Sequence, residues 1–285
     1  MRIDMRCRPP FGSFVKDTSL YDPVHGVPLG TQWYSQNVIQ AESPESAIKM
    51  DFELLIKELD EAGIDMIVAP VRAADGGDNS VCAPYMEQYK DRVIGMAGIE
   101  PMDPVEKSLE TIEKYVINGP YVGVAIEPGF SPEPMHCNDE RIYPVYAKCQ
   151  ENKIPVLLSF GGKCHKDLAN FKPDHLDKLT QDFPDLTVIL VHGGFPYVSE
   201  VCWLAMFRPN LYIAPDCHLM SPGGRLYVDA AKYFLKDKIM FGSTYPIFPV
   251  KRMVEIYEEF FAGFSEEAFE KVMGDNAAKA LGIVK

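Results

Sequence analysis

The chain has no apolar run long enough to cross a bilayer, and no leader-like segment ahead of Met1-Arg2-Ile3-Asp4, which reads as the start of a strand. A cytoplasmic protein is expected, neither membrane-bound nor secreted. Paired cysteine spacings are also missing. The seven cysteines are odd in number and scattered, which argues against a disulfide framework or a zinc knuckle and for free thiols in a reducing compartment. Positive charge is scarce: 28 basic residues face 41 acidic ones, a formal net charge of −13. A field of that sign disfavours nucleic acid and anionic membrane surfaces. It leaves room for a small anionic ligand, because local arginines outweigh a distant surface charge beyond a Debye length of about 8 Å. Gly161-Gly162 and Gly76-Gly77 lack the spacing and the following Lys-Ser/Thr of a phosphate loop. Neither Ser159 nor Thr244 sits in a Gly-x-Ser-x-Gly elbow, so hydrogen bonding suits them better than nucleophilic attack. With no internal repeat and no linker, residues 1–285 read as one domain.

What the chain has is alternation. Eight short, near-continuously apolar runs read as buried parallel strands: 2–7, 65–71, 93–99, 122–127, 155–159, 187–191, 211–215 and 239–242. Amphipathic stretches lie between them, at 46–62, 104–116, 141–152, 173–183, 197–207, 225–235 and 250–261, with a weaker one at 78–90. Eight strand-plus-helix units predict an α/β fold of the closed (β/α)8 TIM-barrel type. Residues 9–43 form an aperiodic, aromatic-rich excursion after the first strand, read equally as a lid and as a self-packed surface loop. A last helix is expected over 265–281, ending at Gly282.

A barrel carries its chemistry at the C-terminal ends of its strands, and several residues fall there. Arg6 and Arg8, two apart on the first strand, point the same way and suit a carboxylate or a developing enolate. The alternative is a structural ion pair with Asp4, Glu100 or Glu127. Cys7, between them, points to the helix layer. His192 closes the sixth strand ahead of Gly193-Gly194 and fits proton transfer near neutral pH. Arg72 could add to the anion contact, and Glu127 could orient an arginine or stay a structural counter-ion. Asp216 could hold His192 or cap the next helix. Cys164-His165 and Asp75-Gly76-Gly77-Asp78 lie in loops over the same face.

Three segments together carry a family resemblance. Phe241-Gly242-Ser243-Thr244-Tyr245-Pro246 is similar to the last-strand motif of the amidohydrolase-related (amidohydrolase 2) family. His192-Gly193-Gly194-Phe195-Pro196-Tyr197 resembles the sixth-strand segment of its aminocarboxymuconate-semialdehyde decarboxylase-like branch. Asp275-Asn276-Ala277-Ala278-Lys279-Ala280-Leu281-Gly282 looks like its closing helix. The resemblance implies a metallo-dependent hydrolase-like barrel. There a first-strand His-x-His, a fifth-strand His and a last-strand Asp hold a divalent metal, and a sixth-strand His serves as acid or base. At those four ligand positions this chain has Arg6, Arg8, Ser159 and Thr244, and only His192 is kept. Arginine offers N–H donors and no lone pair to a metal. The expectation is therefore a hydrolase with no cofactor and no divalent metal, acting on a small carboxylated substrate at a lactone, ring, C–C or C–N bond. His192 and Asp216 would be catalytic, with Arg6, Arg8, Arg72, Glu127, Ser159, Thr244 and Tyr245 holding substrate. The alternatives are a decarboxylase, lyase or isomerase working through an enolate, a non-catalytic binding barrel, and a metal held by His192, Asp216 and His218. A homodimer is allowed by the sequence and not required.

Overall fold

The computed structural model describes residues 1–162 and 167–283. Cys164 and His165 lie outside the described residues. The sheet is all-parallel in sequential order, β1 (Ile3–Asp4), β2 (Met66–Pro70), β3 (Val93–Ile99), β4 (Tyr121–Ile126), β5 (Val156–Ser159), β6 (Val188–Val191) and β7 (Leu211–Ala214). Every residue of β3, β5, β6 and β7 is buried, as strands covered on both faces require.

Among the described residues seven regular strands are formed where eight were expected. The eighth segment is bonded on both sides, but only through isolated bridges, Ile213 with Ile239 and Cys7 with Tyr245. Met240 N–H donates to Ile213 O, Met5 N–H to Phe241 O, and Arg8 N–H to Tyr245 O. The ring thus closes between β7 and β1. The extended run is cut short at Thr244, whose φ of 62° leaves the β region. β1 is also shorter than residues 2–7. Asp4 Oδ1 accepts the backbone N–H groups of Arg6 (2.9 Å) and Ser243 (2.8 Å), which diverts the chain from the ladder.

The apolar residues divide into two cores. Ile3, Met5, Val68, Ile94, Met96, Leu157, Ile189 and Val191 fill the barrel. Their alternate neighbours, Ile67, Ala69, Val156, Leu158, Val188 and Leu190, pack under the helices, and Cys7 joins this outer layer as expected. The helices are α1 (Leu29–Val38), α2 (Glu45–Lys49), α3 (Phe52–Ala62), α4 (Asn79–Gln88), α5 (Val105–Thr111), α6 (Tyr143–Glu151), α7 (Pro173–Asp182), α8 (Val198–Phe207), α9 (Arg225–Tyr233), α10 (Val250–Phe260), α11 (Glu266–Glu270) and α12 (Asn276–Leu281). The single helix expected over 46–62 is two. Met50 turns left-handed (φ 52°), and the Asp51 side chain then caps α3 by accepting Leu54 N–H at 3.1 Å. Ile48, placed on the buried face by its spacing, is 45% exposed as a result. The terminal helix is interrupted by a π turn at Lys271–Asp275, and Ser265 caps its start.

Residues 9–43 contain a short 3-10 helix at Phe14–Lys16 and the α-helix α1, and are tied to the barrel mouth. Phe11 stacks on Tyr85 at 4.6 Å and meets Phe52 edge-on. The Tyr21 hydroxyl donates to Arg8 O at 2.5 Å, and Asp17 reaches Arg72. This excursion is a wall of the site.

Candidate active site

Six of the residues expected at the mouth follow directly from strand ends. Glu127 follows β4, Ser159 ends β5, His192 follows β6, Asp216 lies two beyond β7, and Arg6 and Thr244 come from the first and eighth segments. His192, Asp216 and Thr244 all have left-handed backbones, with φ of 66°, 50° and 62°. For non-glycine residues this costs on the order of 1–3 kcal/mol each, and such strain concentrates where geometry serves function. The left-handed turn lifts each side chain off the strand line toward the barrel axis.

The centre of the site is a linear chain of three groups. His192 Nδ1 lies 2.8 Å from Asp216 Oδ2, a close contact that is not well aligned with the ring N–H. The same Oδ2 accepts His192 backbone N–H at 3.0 Å, which fixes the carboxylate. On the other side, Arg6 Nη2 lies 2.9 Å from His192 Nε2. A guanidinium only donates, so Nε2 must be the acceptor and the imidazole proton must sit on Nδ1, facing Asp216. Burial lowers the His192 pKa, and Arg6 adds to this against the opposing pull of Asp216. Asp216 is fully buried, which alone would raise its pKa, yet the two neighbouring imidazoles and Arg6 hold it down at about 2. The ring of His218 lies 5.5 Å from that of His192 and stacks on Phe195 at 4.9 Å. Gly162 (φ 80°) crosses over both: a Cβ there would come within 3.0 Å of His218 Nε2 and 3.1 Å of His192 Cγ.

A second set neutralises arginine. Glu127 Oε2 accepts Arg72 Nε at 2.9 Å, and Oε1 accepts the Ser159 hydroxyl at 2.7 Å. Arg72 also pairs with Asp17 (3.2 Å) and with Asp75. Burial works to raise the Glu127 pKa, but Arg72, Arg6 and the Ser159 hydroxyl hold it at about 2. Arg6 and Arg8, by contrast, reach Glu127 Oε1 only at 3.8 and 3.9 Å, beyond hydrogen-bonding length. Arg6 Nε, Arg6 Nη1 and Arg8 Nε are buried with no hydrogen-bond partner among the described residues. Each such donor costs roughly 1–3 kcal/mol, or more when charged, until an acceptor meets it.

Two substrate-contact expectations do not match this geometry. Tyr245 is sealed in the helix layer, its hydroxyl 2.8 Å from Ser46 Oγ, because the chain turns after Thr244 and sends the ring outward. Arg72 is at the mouth, but three carboxylates already share its charge. Asp17 was not foreseen, since it lies in the aperiodic stretch with no motif around it. Thr244 faces the site, where its hydroxyl accepts Cys217 N–H at 3.1 Å.

A divalent ion does not fit the four positions at which the family resemblance would put its ligands. Arg6 and Arg8 are donors only, the Ser159 hydroxyl is committed to Glu127, and the Thr244 hydroxyl is used by Cys217. Among the described residues one other cluster has ligand atoms close together, His192, Asp216 and His218, within 4.8 Å of one another. Its His192 Nε2 already receives Arg6, so a dication bound through that nitrogen would lie against a guanidinium.

A parallel α/β barrel with a histidine, a buried carboxylate and arginines at its C-terminal mouth has the architecture of a metallo-dependent hydrolase-like barrel. The family model described as Amidohydrolase matches residues 51–283, and the chain belongs to that family. An uncharacterised TIM-barrel protein, Bb4693 from Bordetella bronchiseptica, is 32% identical with a TM-score of 0.87, over 99% of this chain and 98% of that one. 2,6-Dihydroxybenzoate decarboxylase from Rhizobium shares the fold at 15% identity and TM-score 0.68, over 99% of this chain and 98% of its own. Other enzymes of this fold include 4-oxalomesaconate hydratase from Rhodopseudomonas palustris and a probable 2-pyrone-4,6-dicarboxylic acid hydrolase from Acinetobacter baumannii. Protein fluG from Emericella nidulans is 32% identical over 68 residues, which span 24% of this chain and 8% of that protein. Among the described residues, no helix is long and apolar enough to cross a membrane.

Proposed function

We propose that this protein is a metal-independent hydrolase for a small carboxylated substrate, with a lactone or related ring ester as the leading class. The observation that carries the reading is the Asp216–His192–Arg6 chain beside unpartnered guanidinium N–H groups. Arg6 and Arg8 bind the carboxylate and, through remaining N–H groups, stabilise the oxyanion that forms at the reacting carbonyl. His192, neutral and oriented by Asp216, takes a proton from water through Nε2. The water oxygen bonds to the carbonyl carbon, the ring C–O bond breaks, and the imidazolium returns its proton to the departing oxygen. The proton count closes without a cofactor.

Decarboxylation is the second reading, suggested by the fold shared with 2,6-dihydroxybenzoate decarboxylase. Two features weigh against it. Guanidinium pairing stabilises the carboxylate that would have to leave. A histidine with a lowered pKa is also little protonated at neutral pH, so few imidazolium protons are at hand for the carbon.

The test is a panel of small carboxylated lactones, esters and aromatic acids, assayed with protein prepared in chelator. Hydrolysis is expected to persist without metal. His192→Gln should lower kcat, and Arg6→Gln should raise KM and, by removing an oxyanion contact, lower kcat as well. Stoichiometric zinc, manganese or iron in the purified protein, with activity lost on its removal, would sink the metal-independent reading. Release of CO2 from an aromatic acid in place of lactone opening would transfer the assignment to decarboxylation.

A further inference from the structure

We infer that Arg6 is a specificity lock on His192: it occupies the lone pair of the base until a substrate carboxylate draws it away. The inference rests on the carboxylate reading above and adds what the anion does to the base and where it must lie on the substrate. Arg6 Nη2 donates to His192 Nε2 at 2.9 Å, and Nε2 is the only ring nitrogen left to accept a proton, because Nδ1–H faces Asp216. With that bond made, the imidazole holds no free lone pair for water. The same guanidinium is 1% exposed and, among the described residues, has Nε and Nη1 without partners, while Arg8 Nε beside it is also unmet. The nearest carboxylate, on Glu127, stays 3.8 Å from Nη2 and is itself committed to Arg72 and Ser159. Arg6 is therefore held by a neutral nitrogen while it lacks an anion. A carboxylate is the stronger acceptor for a guanidinium, since charge-assisted pairs are roughly twice as strong as neutral ones. When one enters, Arg6 turns to it and Nε2 is freed.

The geometry restricts the substrate. The group that unlocks the base sits on an arginine in contact with that base, so its carboxylate must lie on the reacting carbon's neighbour or one carbon further. The class is a compound with a carboxylate close to the bond cleaved, such as a lactone carrying its acid next to the ring carbonyl or ring oxygen. Uncharged esters of the same shape leave the lock closed. Among the described residues, the groups facing His192 are Asp216, Arg6 and His218, with the Phe130 ring 6.5 Å away.

The experiment is long-range ¹H–¹⁵N NMR on the full chain labelled in histidine and arginine, with His192 assigned from His192→Gln. Malonate is the probe and sulfate the control. Without malonate, His192 is expected as the neutral Nδ1–H tautomer with a hydrogen-bonded Nε2. Malonate should move the Arg6 Nε signal, release the Nε2 hydrogen bond and shift the His192 titration to higher pH. Arg6→Gln should raise the His192 titration in the free protein and make it indifferent to malonate. The wild-type titration stands by itself if that variant does not fold. Malonate that moves Arg6 while His192 keeps its signals would overturn the lock and leave the carboxylate reading standing. No perturbation of Arg6 by malonate would overturn both.

Discussion

Replacing Glu127 by glutamine changes one charge and almost no volume, and the consequence can be worked out from the structure. The carboxylate is 5% exposed, pairs with Arg72, and supplies the nearest negative charge to Arg6 and Arg8. Glutamine keeps an acceptor for Arg72 and a partner for the Ser159 hydroxyl, so the loss is electrostatic. A carboxyl held at about 2 in the fold, against an ordinary 4.5, contributes about 3 kcal/mol to stability at neutral pH. Breaking a buried ion pair by removing one partner costs a similar amount, about 3–5 kcal/mol. Because the folded pKa is depressed, this contribution is full above the unfolded value of 4.5 and is lost as pH falls toward 2. Urea denaturation of wild type and Glu127→Gln should therefore show a gap of about 3 kcal/mol at pH 7 that narrows by about 1 kcal/mol by pH 3.5. A gap below 1 kcal/mol at pH 7, or one that stays constant from pH 7 to 3.5, would refute the assignment of Glu127 as the ionised counter-charge of the arginines.

Other outcomes follow from the same geometry. Asp216→Ala removes the carboxylate that faces Nδ1 and accepts the His192 backbone N–H, so the imidazole loses the group that orients it. Turnover should fall about 100- to 10,000-fold with KM little changed; near-wild-type turnover in the folded variant would contradict the reading. The lowered His192 pKa of the free protein places the base limb of the kcat/KM–pH profile on the acid side of the ordinary imidazole value of 6.5. The wild-type rate is thus expected to be flat through neutrality and to drop only on acidification, and a limb above pH 7 would be inconsistent with it. Gly162→Ala forces a Cβ into a left-handed position and onto the rings of His192 and His218. It should destabilise the protein by roughly 1–2 kcal/mol and lower activity, and wild-type thermal stability would show that this glycine is not needed.

Much of the architecture could be read from residue order, because a strand buried on both faces must be apolar throughout and a helix on a barrel must be amphipathic. The alternation, the position of His192 and the pairing of first-strand arginines with a changed ligand set were all visible there. Boundaries were less legible. Met50 and Asp51 split one expected helix because a left-handed turn and a side-chain cap override the apolar spacing. Asp17 could not be located from its surroundings, since its partner Arg72 is 55 residues away.

The sequence determined the chemical inventory: donor-only side chains on the first strand, a histidine followed by two glycines, and acids enough to offset them. It could not assign partners, because an ion pair depends on distances set by chain closure and not by spacing. Only the tertiary structure decided that Glu127, Asp17 and Asp75 converge on Arg72 while Arg6 is left to a neutral imidazole. It alone turned Tyr245 into the helix layer and brought Asp216 against His192. The physical reason is that left-handed residues at three strand ends redirect side chains in ways a two-residue alternation does not encode.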